Sequence, residues 1–522
     1  MKFPDISRIK GYFPAAGAGL LFGLFLFYKS FSLHWYISDE NIYYCMARDL
    51  GWSHWPYRDF FYANPPLLLY LLKLGGMASD WSVAGMRCVP VLCHLGAGLV
   101  LWRVLTPMLG CLVVVPLGVH LFSYDALRAS THSTGITESL LFIHLALYMA
   151  LRRRASCAGV LLGLALWTKT YSVTAIPMIG AIFLLQKRKS KKESFVQAGK
   201  FAGVLVLMVL ILVLGGFAFG GMKFWEMNVS YHLSKQPSDE GGSWEVFSQV
   251  AYRNQGSLYV LAICLAAGSL ASLPVLRKHG IRVPPLDFLT GTPPLFHILL
   301  GLVHFFSVFV FLVMQGRIFD FYMLLFLPAL ALISAGCLIP LKKYFETWNP
   351  TKPGKWHPWI VESSFLVLIA LMLAHPLIPR SCRLFIPDLV TYLQHEARHA
   401  DGLARWNPLL SVPGTTLFGD SGTAPLVALM SGAQLALGEA DTNQMRFQGG
   451  FPAPGKFIQS LEESSVQWAV VRGRIQSQNR FIPRGLFAIP EFREYARTRF
   501  SSVDQVVLEG DTEIRLMHHN LP

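Results

Sequence analysis

The sequence predicts a mainly α, polytopic membrane protein of about eleven spans, followed by a small C-terminal α/β domain on the outer side. Three observations predict it. The chain of 522 residues is 53% hydrophobic and only 15% charged, where soluble chains carry nearer a quarter charged residues. Apolar runs of about 20 residues, the thickness of a bilayer core, recur along it. From Arg380 the long runs stop and short strand and helix patterns replace them. The division is therefore a membrane domain over residues 1–379 and a soluble domain over residues 380–522, with a first outer loop over 34–82.

The charge distribution supports this division. The net charge is +14. From Arg380 onward, 14 Lys and Arg face 14 Asp and Glu, so the entire excess lies in the membrane domain, where short basic loops set topology. The soluble end has one lysine, Lys456. It lacks the basic patch of a nucleic-acid binder. The 8 cysteines show no CxxC or Cys/His metal spacing. Most sit in apolar runs as small hydrophobes. Cys45 and Cys382 both fall on the outer side, but one pair does not define a disulfide. Lys2, Arg8 and Lys10 precede the first apolar run without a small-residue cleavage site, so that run reads as an uncleaved first helix.

The spans follow in order. The first covers about Phe13–Leu33 and leads into the outer loop. The second, Val83–Leu105, and third, Met108–Tyr124, precede a polar outer stretch from Ser123 to Glu138. The fourth ends at Arg152-Arg153-Arg154. Two more flank the break Trp167–Ser172 and end at the basic run Gln186–Lys192, the strongest inner-side signal. Phe201–Gly220 leads out to a loop over residues 221–256. Leu258–Leu276 returns to Arg277, Lys278 and Arg282. Pro294–Met314 leads out to Arg317, Phe319–Pro340 returns to Lys342-Lys343, and Trp359–His375 delivers the soluble domain outside. The N-terminus is then cytoplasmic, and the C-terminal domain periplasmic or extracellular, if the cell is bacterial and this is its inner (plasma) membrane.

In the soluble domain, Thr415–Asp420 and Val466–Val471 read as buried strands. Pro425–Met430 and Lys456–Glu463 read as helices, and the last residues as a hairpin turning at Gly510-Asp511. The segment around Ser421 superficially resembles a protease motif. With no His/Asp constellation beside it, Gly419–Gly422 reads as a strand-to-helix turn.

The first outer loop carries the chemistry. Ser38-Asp39 stands at a helix start. Tyr43, Met46, Ala47 and Leu50 fall on one face, and Gly51 ends the run. Such a helix is expected to lie on the membrane surface and hold Asp39 and Glu40 at headgroup depth. A second helix starts at Pro65-Pro66. Asp39 reads equally as a helix N-cap, a role that would lower its pKa. The aromatics Trp52, Trp55, Tyr57, Phe60, Phe61 and Tyr62 read mainly as an interfacial belt. Histidines His132, His232 and His304 read as structural.

An inner N-terminus, one span, an outer loop opening with Asp39-Glu40, and then the segment Pro56–Leu67 make an order that resembles the GT-C glycosyltransferases. The nearest branch is the protein O-mannosyltransferase and aminoarabinose-transferase group. Later stretches, Thr137–Arg154, Ala158–Lys169 and Arg317–Ile333, resemble it as well, and the resemblance covers about Phe13 to Leu338. Where that group often has histidine before the Pro-Pro pair, this chain has Asn64.

The resemblance implies transfer of a sugar from a polyprenyl-phosphate-linked donor to a lipid, glycan or protein acceptor on the outer face, with inversion. A single displacement needs a base for the acceptor proton and positive charge for the departing phosphate. Asp39 matches the family's catalytic aspartate, and Glu40 is placed either to orient it or to help bind the acceptor. Lys169 and Arg317, at the outer ends of spans, are the candidates for the phosphate, since ionisable groups beside a span are functional candidates by default. Their alternative is interfacial snorkelling. Arg58 is weaker, because Asp59 beside it is placed to fix the loop. Tyr43, Asp125 and Glu138 are further substrate-binding candidates, with Glu138 also placed to cap the fourth span. No cofactor is read. A divalent metal on Asp125 or Glu138 stays open, though no oxygen-ligand loop is present. Two other classes remain: a transporter or flippase of a lipid-linked substrate, and an inactive family member serving as an assembly partner. The acidic residues at outer loop ends and the lack of an internal repeat favour the enzyme.

Overall fold

The computed structural model describes residues 6–35, 37–51, 54–186, 190–234, 243–279, 293–315, 319–347, 398, 400–476, 480–508 and 511–520. It is a polytopic helical membrane protein with a small C-terminal sheet domain. The first ten helices are α1 (Ile6–Ser30), α2 (Glu40–Asp49), α3 (Leu67–Ala78), α4 (Val83–Leu109), α5 (Val114–Phe122), α6 (Tyr124–Ala129), α7 (Ile136–Leu151), α8 (Ala155–Thr168), α9 (Ile176–Leu185) and α10 (Lys191–Gly220). Further long helices cover Gln255–His279, Pro293–Gln315 and Leu327–Thr347.

Among the described residues, four helical stretches are long and apolar enough to cross a membrane: Val83–Phe122, Lys191–Gly220, Pro294–Gln315 and Phe321–Lys343. The first has 40 residues, about twice what one crossing needs. It is interrupted by the 3-10 turn Gly110–Val113, which opens on Gly110 at φ 56°. There the chain folds back, so the His94 and His120 rings stack 4.4 Å apart and α4 and α5 form a hairpin. Close helix approach relies on small residues. A methyl group on Gly301 would stand 2.6 Å from Ile333, and one on Gly336 2.6 Å from Ile298, so Pro293–Gln315 and Leu327–Thr347 pack nearly backbone to backbone. Gly163 similarly admits Met208 of α10 against α8.

Three expectations for these loops are corrected. The stretch Ser123–Glu138 is not a solvated loop. It folds into α6 and a turn whose Ser130, Thr131, Ser133, Thr137 and Glu138 are buried. Nor does α2 lie on a membrane surface. Seven of its residues, including Ile42, Tyr44, Cys45 and Met46, are buried, because it is covered on more than one side. The Tyr44 hydroxyl meets Ser133 Oγ at 3.1 Å. On another side, Cys45 Sγ donates to the Pro425 carbonyl at 3.3 Å and Arg48 to that of Ala428 at 3.3 Å. The aromatic loop is likewise no interfacial belt: Tyr57, Phe60, Phe61 and Tyr62 are all buried. Trp52, Cys382, Arg317, the span expected at Trp359–His375 and the domain boundary at Arg380 lie outside the described residues.

The C-terminal domain holds a six-stranded sheet in the order β2-β1-β3-β6-β5, with β4 also paired to β3. The strands are β1 (Thr416–Gly419), β2 (Gln434–Leu435), β3 (Trp468–Gln476), β4 (Arg480–Pro483), β5 (Phe500–Leu508) and β6 (Thr512–His519). β1 runs parallel to both β2 and β3, and β3–β6 and β5–β6 are antiparallel. The β5–β6 hairpin and the helices Ala424–Ser431 and Pro454–Glu463 stand where the sequence pattern puts them. Gly419–Gly422 is the expected strand-to-helix turn. From β1 the chain passes to β2 on one side, then from β2 to β3 on the other. The carboxyl end of β1 is therefore a topological switch point, where α/β sheets open a crevice.

Candidate active site

Asp39 occupies the N-cap position of α2, yet its side chain makes no capping hydrogen bond. Its φ of −64° and ψ of −14° are helical, whereas a capping residue sits in extended backbone. The carboxylate thus remains available for chemistry. Asp39 is accessible to solvent but ringed by protein. That confinement, and then the negative charges of Asp441 and Asp420, push its pKa up to about 6, while Arg472 opposes the shift. A general base works best with a pKa near the operating pH, and this environment moves Asp39 towards it.

Glu40 is buried and so not open to an acceptor. Successive helical residues diverge by about 100°, and Glu40 turns inward. It is buried in an ion pair with Arg87 at 2.7 Å and accepts from Tyr44 at 3.4 Å. Arg87 also donates to the carbonyls of Ser32 and His34 at 2.6 and 2.7 Å. This buried clamp ties the exit of α1 to the start of α2 and fixes where Asp39 stands.

On the membrane side of Asp39 lies a polar chain. Tyr43, one turn along α2, feels the charges of Asp441 and Asp39, and burial first raises the pKa of its phenol. Its hydroxyl accepts from Asn64 Nδ2 at 3.4 Å, and Asn64 Oδ1 accepts from Lys169 Nζ at 2.6 Å. Lys169 follows α8, where the chain leaves the helix in extended backbone. Its ammonium lies 5.3 Å from the centre of the Tyr171 ring, and Tyr171 bonds Tyr322 at 3.0 Å. Gly135, at φ 84°, makes room for it: a methyl group there would stand 3.3 Å from the Lys169 stem and 3.0 Å from the Thr168 carbonyl. Asn64 is itself fixed by Tyr57, whose hydroxyl donates to the Asn64 carbonyl at 2.7 Å, and His232 bonds the Ala63 carbonyl at 2.7 Å.

Of the remaining candidates, Glu138 stands beside Lys169, across Gly135. Arg58 is exposed and forms a forked pair with Asp59 at 2.8 Å, because the two are neighbours on a turn that faces away. Glu138 caps α7, accepting from the Gly135 amide at 3.0 Å. Asp125 is buried and exchanges hydrogen bonds with Asn254, at 2.5 Å from Asn254 Nδ2 and 3.2 Å through its own amide. The pair borders a cavity of about 210 Å³ walled mainly by apolar side chains such as Phe305, Phe326 and Leu330. Arg317 lies outside the described residues. Among the described residues no group of three or more His, Cys, Asp or Glu is arranged to hold a metal ion.

Sequence reasoning missed the other wall of the site. Asp420 follows β1 and Asp441 lies beyond β2, so both come from the switch-point loops, while Arg472 stands on β3. Asp420 is buried, accepts from the Leu486 amide at 3.2 Å and requires Gly485, since a methyl group there would meet its Oδ1 at 1.9 Å. The only available signal was Asp420 at the end of a buried strand. Nothing in the sequence pairs it with Asp39, 381 residues earlier.

No protein-family model matches the chain, and no curated protein matches its sequence. Among solved structures, ArnT from Cupriavidus metallidurans in the apo state is similar over 96% of this chain and 98% of its own, with a TM-score of 0.58 at 14% identity. The structure of that protein bound to undecaprenyl phosphate is similar over 97% of both chains, with a TM-score of 0.54 at 14% identity. The chain therefore has the fold of ArnT over 96% of its length.

Proposed function

We propose that this chain is an integral-membrane GT-C glycosyltransferase that moves a sugar from a polyprenyl-phosphate-linked donor to an acceptor on the outer face of the membrane. The observation that carries this reading is Asp39 itself: an accessible carboxylate, relieved of capping and raised to about 6, within a fold whose ArnT counterpart binds undecaprenyl phosphate. The topology that suits it has the N-terminus inside and the C-terminal domain outside, with exposed Arg152, Arg153 and Arg154 on the inner side.

The reaction is a single displacement. The acceptor's hydroxyl or amine attacks the anomeric carbon from the face opposite the phosphate, and the bond between that carbon and the phosphate oxygen breaks. The electron pair leaves on the lipid phosphate, and the acceptor proton passes to the Asp39 carboxylate. The configuration inverts. Lys169, held by Asn64, supplies positive charge for the leaving phosphate. A phosphate leaves readily, so no separate acid is required. Glu40 acts only through the Arg87 clamp, as a positioning residue.

The test is transfer from a panel of radiolabelled polyprenyl-phosphate sugars by the purified chain, supplied with extracted envelope lipids and glycans as acceptors, wild type beside Asp39→Asn. Turnover by wild type and its loss in the variant supports the reading. Equal turnover removes Asp39 as the base, and transport of the labelled lipid across vesicles without transfer removes the enzyme.

A further inference from the structure

We infer that the Glu439–Arg446 ion pair of the C-terminal domain is a positioning element that locks the two walls of the Asp39 site into one register. This rests on the proposed role of Asp39 only for its catalytic consequence; the lock itself is a matter of geometry.

Arg446 is buried at 3% exposure, yet it carries a full charge, and a buried charge persists only where its donors are satisfied. Its guanidinium makes a forked pair with Glu439, at 2.8 and 3.1 Å. Nε donates to the Phe451 carbonyl at 2.6 Å. The remaining contacts leave the pair and reach both walls. Nη1 donates to the Asp441 carbonyl at 2.6 Å, so the arginine holds the backbone of a carboxylate residue that bears on Asp39. The guanidinium plane also lies over the Phe61 ring at 4.2 Å, and Glu439 Oε2 accepts from the Phe61 amide at 3.3 Å. Phe61 is thus gripped by both its ring and its backbone.

Phe61 begins the segment that ends at Asn64, the residue that holds Lys169. The opposite face of this segment is closed by Tyr231, edge-on to Phe61 at 5.1 Å and to Phe451 at 5.8 Å. Asp441 and Asn64 belong to different domains, and Arg446 reaches directly to one and, through Phe61, to the other. A single planar fork can meet a carboxylate, a carbonyl and a ring face together, which an ammonium cannot. A purely structural ion pair would need only its own domain; this one spends a carboxylate oxygen and a ring face on the outer loop.

The test uses the full chain in nanodiscs and three variants: Arg446→Met, Arg446→Lys and Phe61→Leu. The activity-independent readout is amide hydrogen exchange. Arg446→Met is expected to raise exchange across residues 57–64 about tenfold or more, while β3, β5 and β6 exchange as in wild type; Arg446→Lys falls between. Phe61→Leu leaves the ion pair in place and is expected to loosen the same segment to a lesser degree, and it decides the matter if Arg446→Met fails to fold. The second readout is the pH profile of sugar transfer, whose acid limb moves to lower pH in Arg446→Met as Asp441 loses its hold beside Asp39. Unchanged exchange over residues 57–64 in both Arg446→Met and Phe61→Leu overturns the lock, as does a rise spread evenly over the sheet. Loosened exchange in a protein whose wild type transfers no sugar sustains the lock and overturns the catalytic reading instead.

Discussion

The two walls around Asp39 carry opposite charge and come from opposite ends of the chain. The membrane wall offers Lys169, presented through Asn64 and Tyr43. The wall from the C-terminal domain offers Asp420 and Asp441, with Arg472 moderating them. The membrane wall is suited to a phosphate and the other to raising a base. In the proposed displacement the Asp39 carboxylate is the proton acceptor and Lys169 the charge that stabilises the leaving group. The difference teaches that charges of the C-terminal domain bear on Asp39, so that on the proposed reading this domain is part of the site.

The comparison is broken most directly at its centre. Asp39→Asn keeps the shape and removes the base, and is expected to lower kcat by about 10² to 10⁴, measured as transfer of labelled sugar. Asp39→Glu recovering full activity would instead favour a loose electrostatic role.

Removing the membrane wall's charge comes next. Lys169→Met is expected to cost about 10² in kcat, with a smaller change in the binding of the lipid phosphate alone. Asn64→Ala, which removes the amide bonded to both Lys169 and Tyr43, is expected to give a fraction of that loss. An Asn64→Ala defect equal to that of Lys169→Met would give Asn64 a direct part in the chemistry.

The outer wall sharpens the comparison through pH. Turnover is expected to fall as pH drops through about 6, where Asp39 would take up its proton. Asp441→Asn removes a negative neighbour, so the Asp39 pKa falls and the acid limb moves to lower pH by about one unit or less. Arg472→Met removes the opposing positive charge and moves the limb to higher pH. Limbs that stay in place in both variants would detach the C-terminal domain from the base.

The smallest effect is expected at Arg58. Its pair with Asp59 is exposed, and such pairs contribute little, so Arg58→Gln is expected to change kcat/KM by less than about twofold. A larger loss would place that turn against substrate.

Much of the membrane half was legible beforehand. Apolar length marks spans, and Asp39 with Lys169 stood out as charges beside them. What was not legible is which side of each element is covered. Lys191–Gly220 and Phe321–Lys343 each contain an apolar window long enough to cross a membrane, yet 11% of that window is buried in one and 94% in the other. Apolarity does not distinguish lipid from protein as a neighbour. The same blindness made α2 read as a surface helix and Tyr57, Phe60, Phe61 and Tyr62 as a belt. An amphipathic or aromatic stretch buries equally well under a membrane or under a folded domain. Glu40 stood beside Asp39 in sequence but not in space, because the helical turn carries neighbours apart.

The sequence by itself determined the class of the molecule: local length, polarity and turn chemistry set the apolar helices, the sheet's main strands and the carboxylate that opens the loop after the first helix. Tertiary structure alone decided the state of that carboxylate. Capping would have lowered its pKa. Burial first, and then the charges of Asp441 and Asp420, raise it instead, with Arg472 opposing, since the fold brings together groups that the chain keeps far apart.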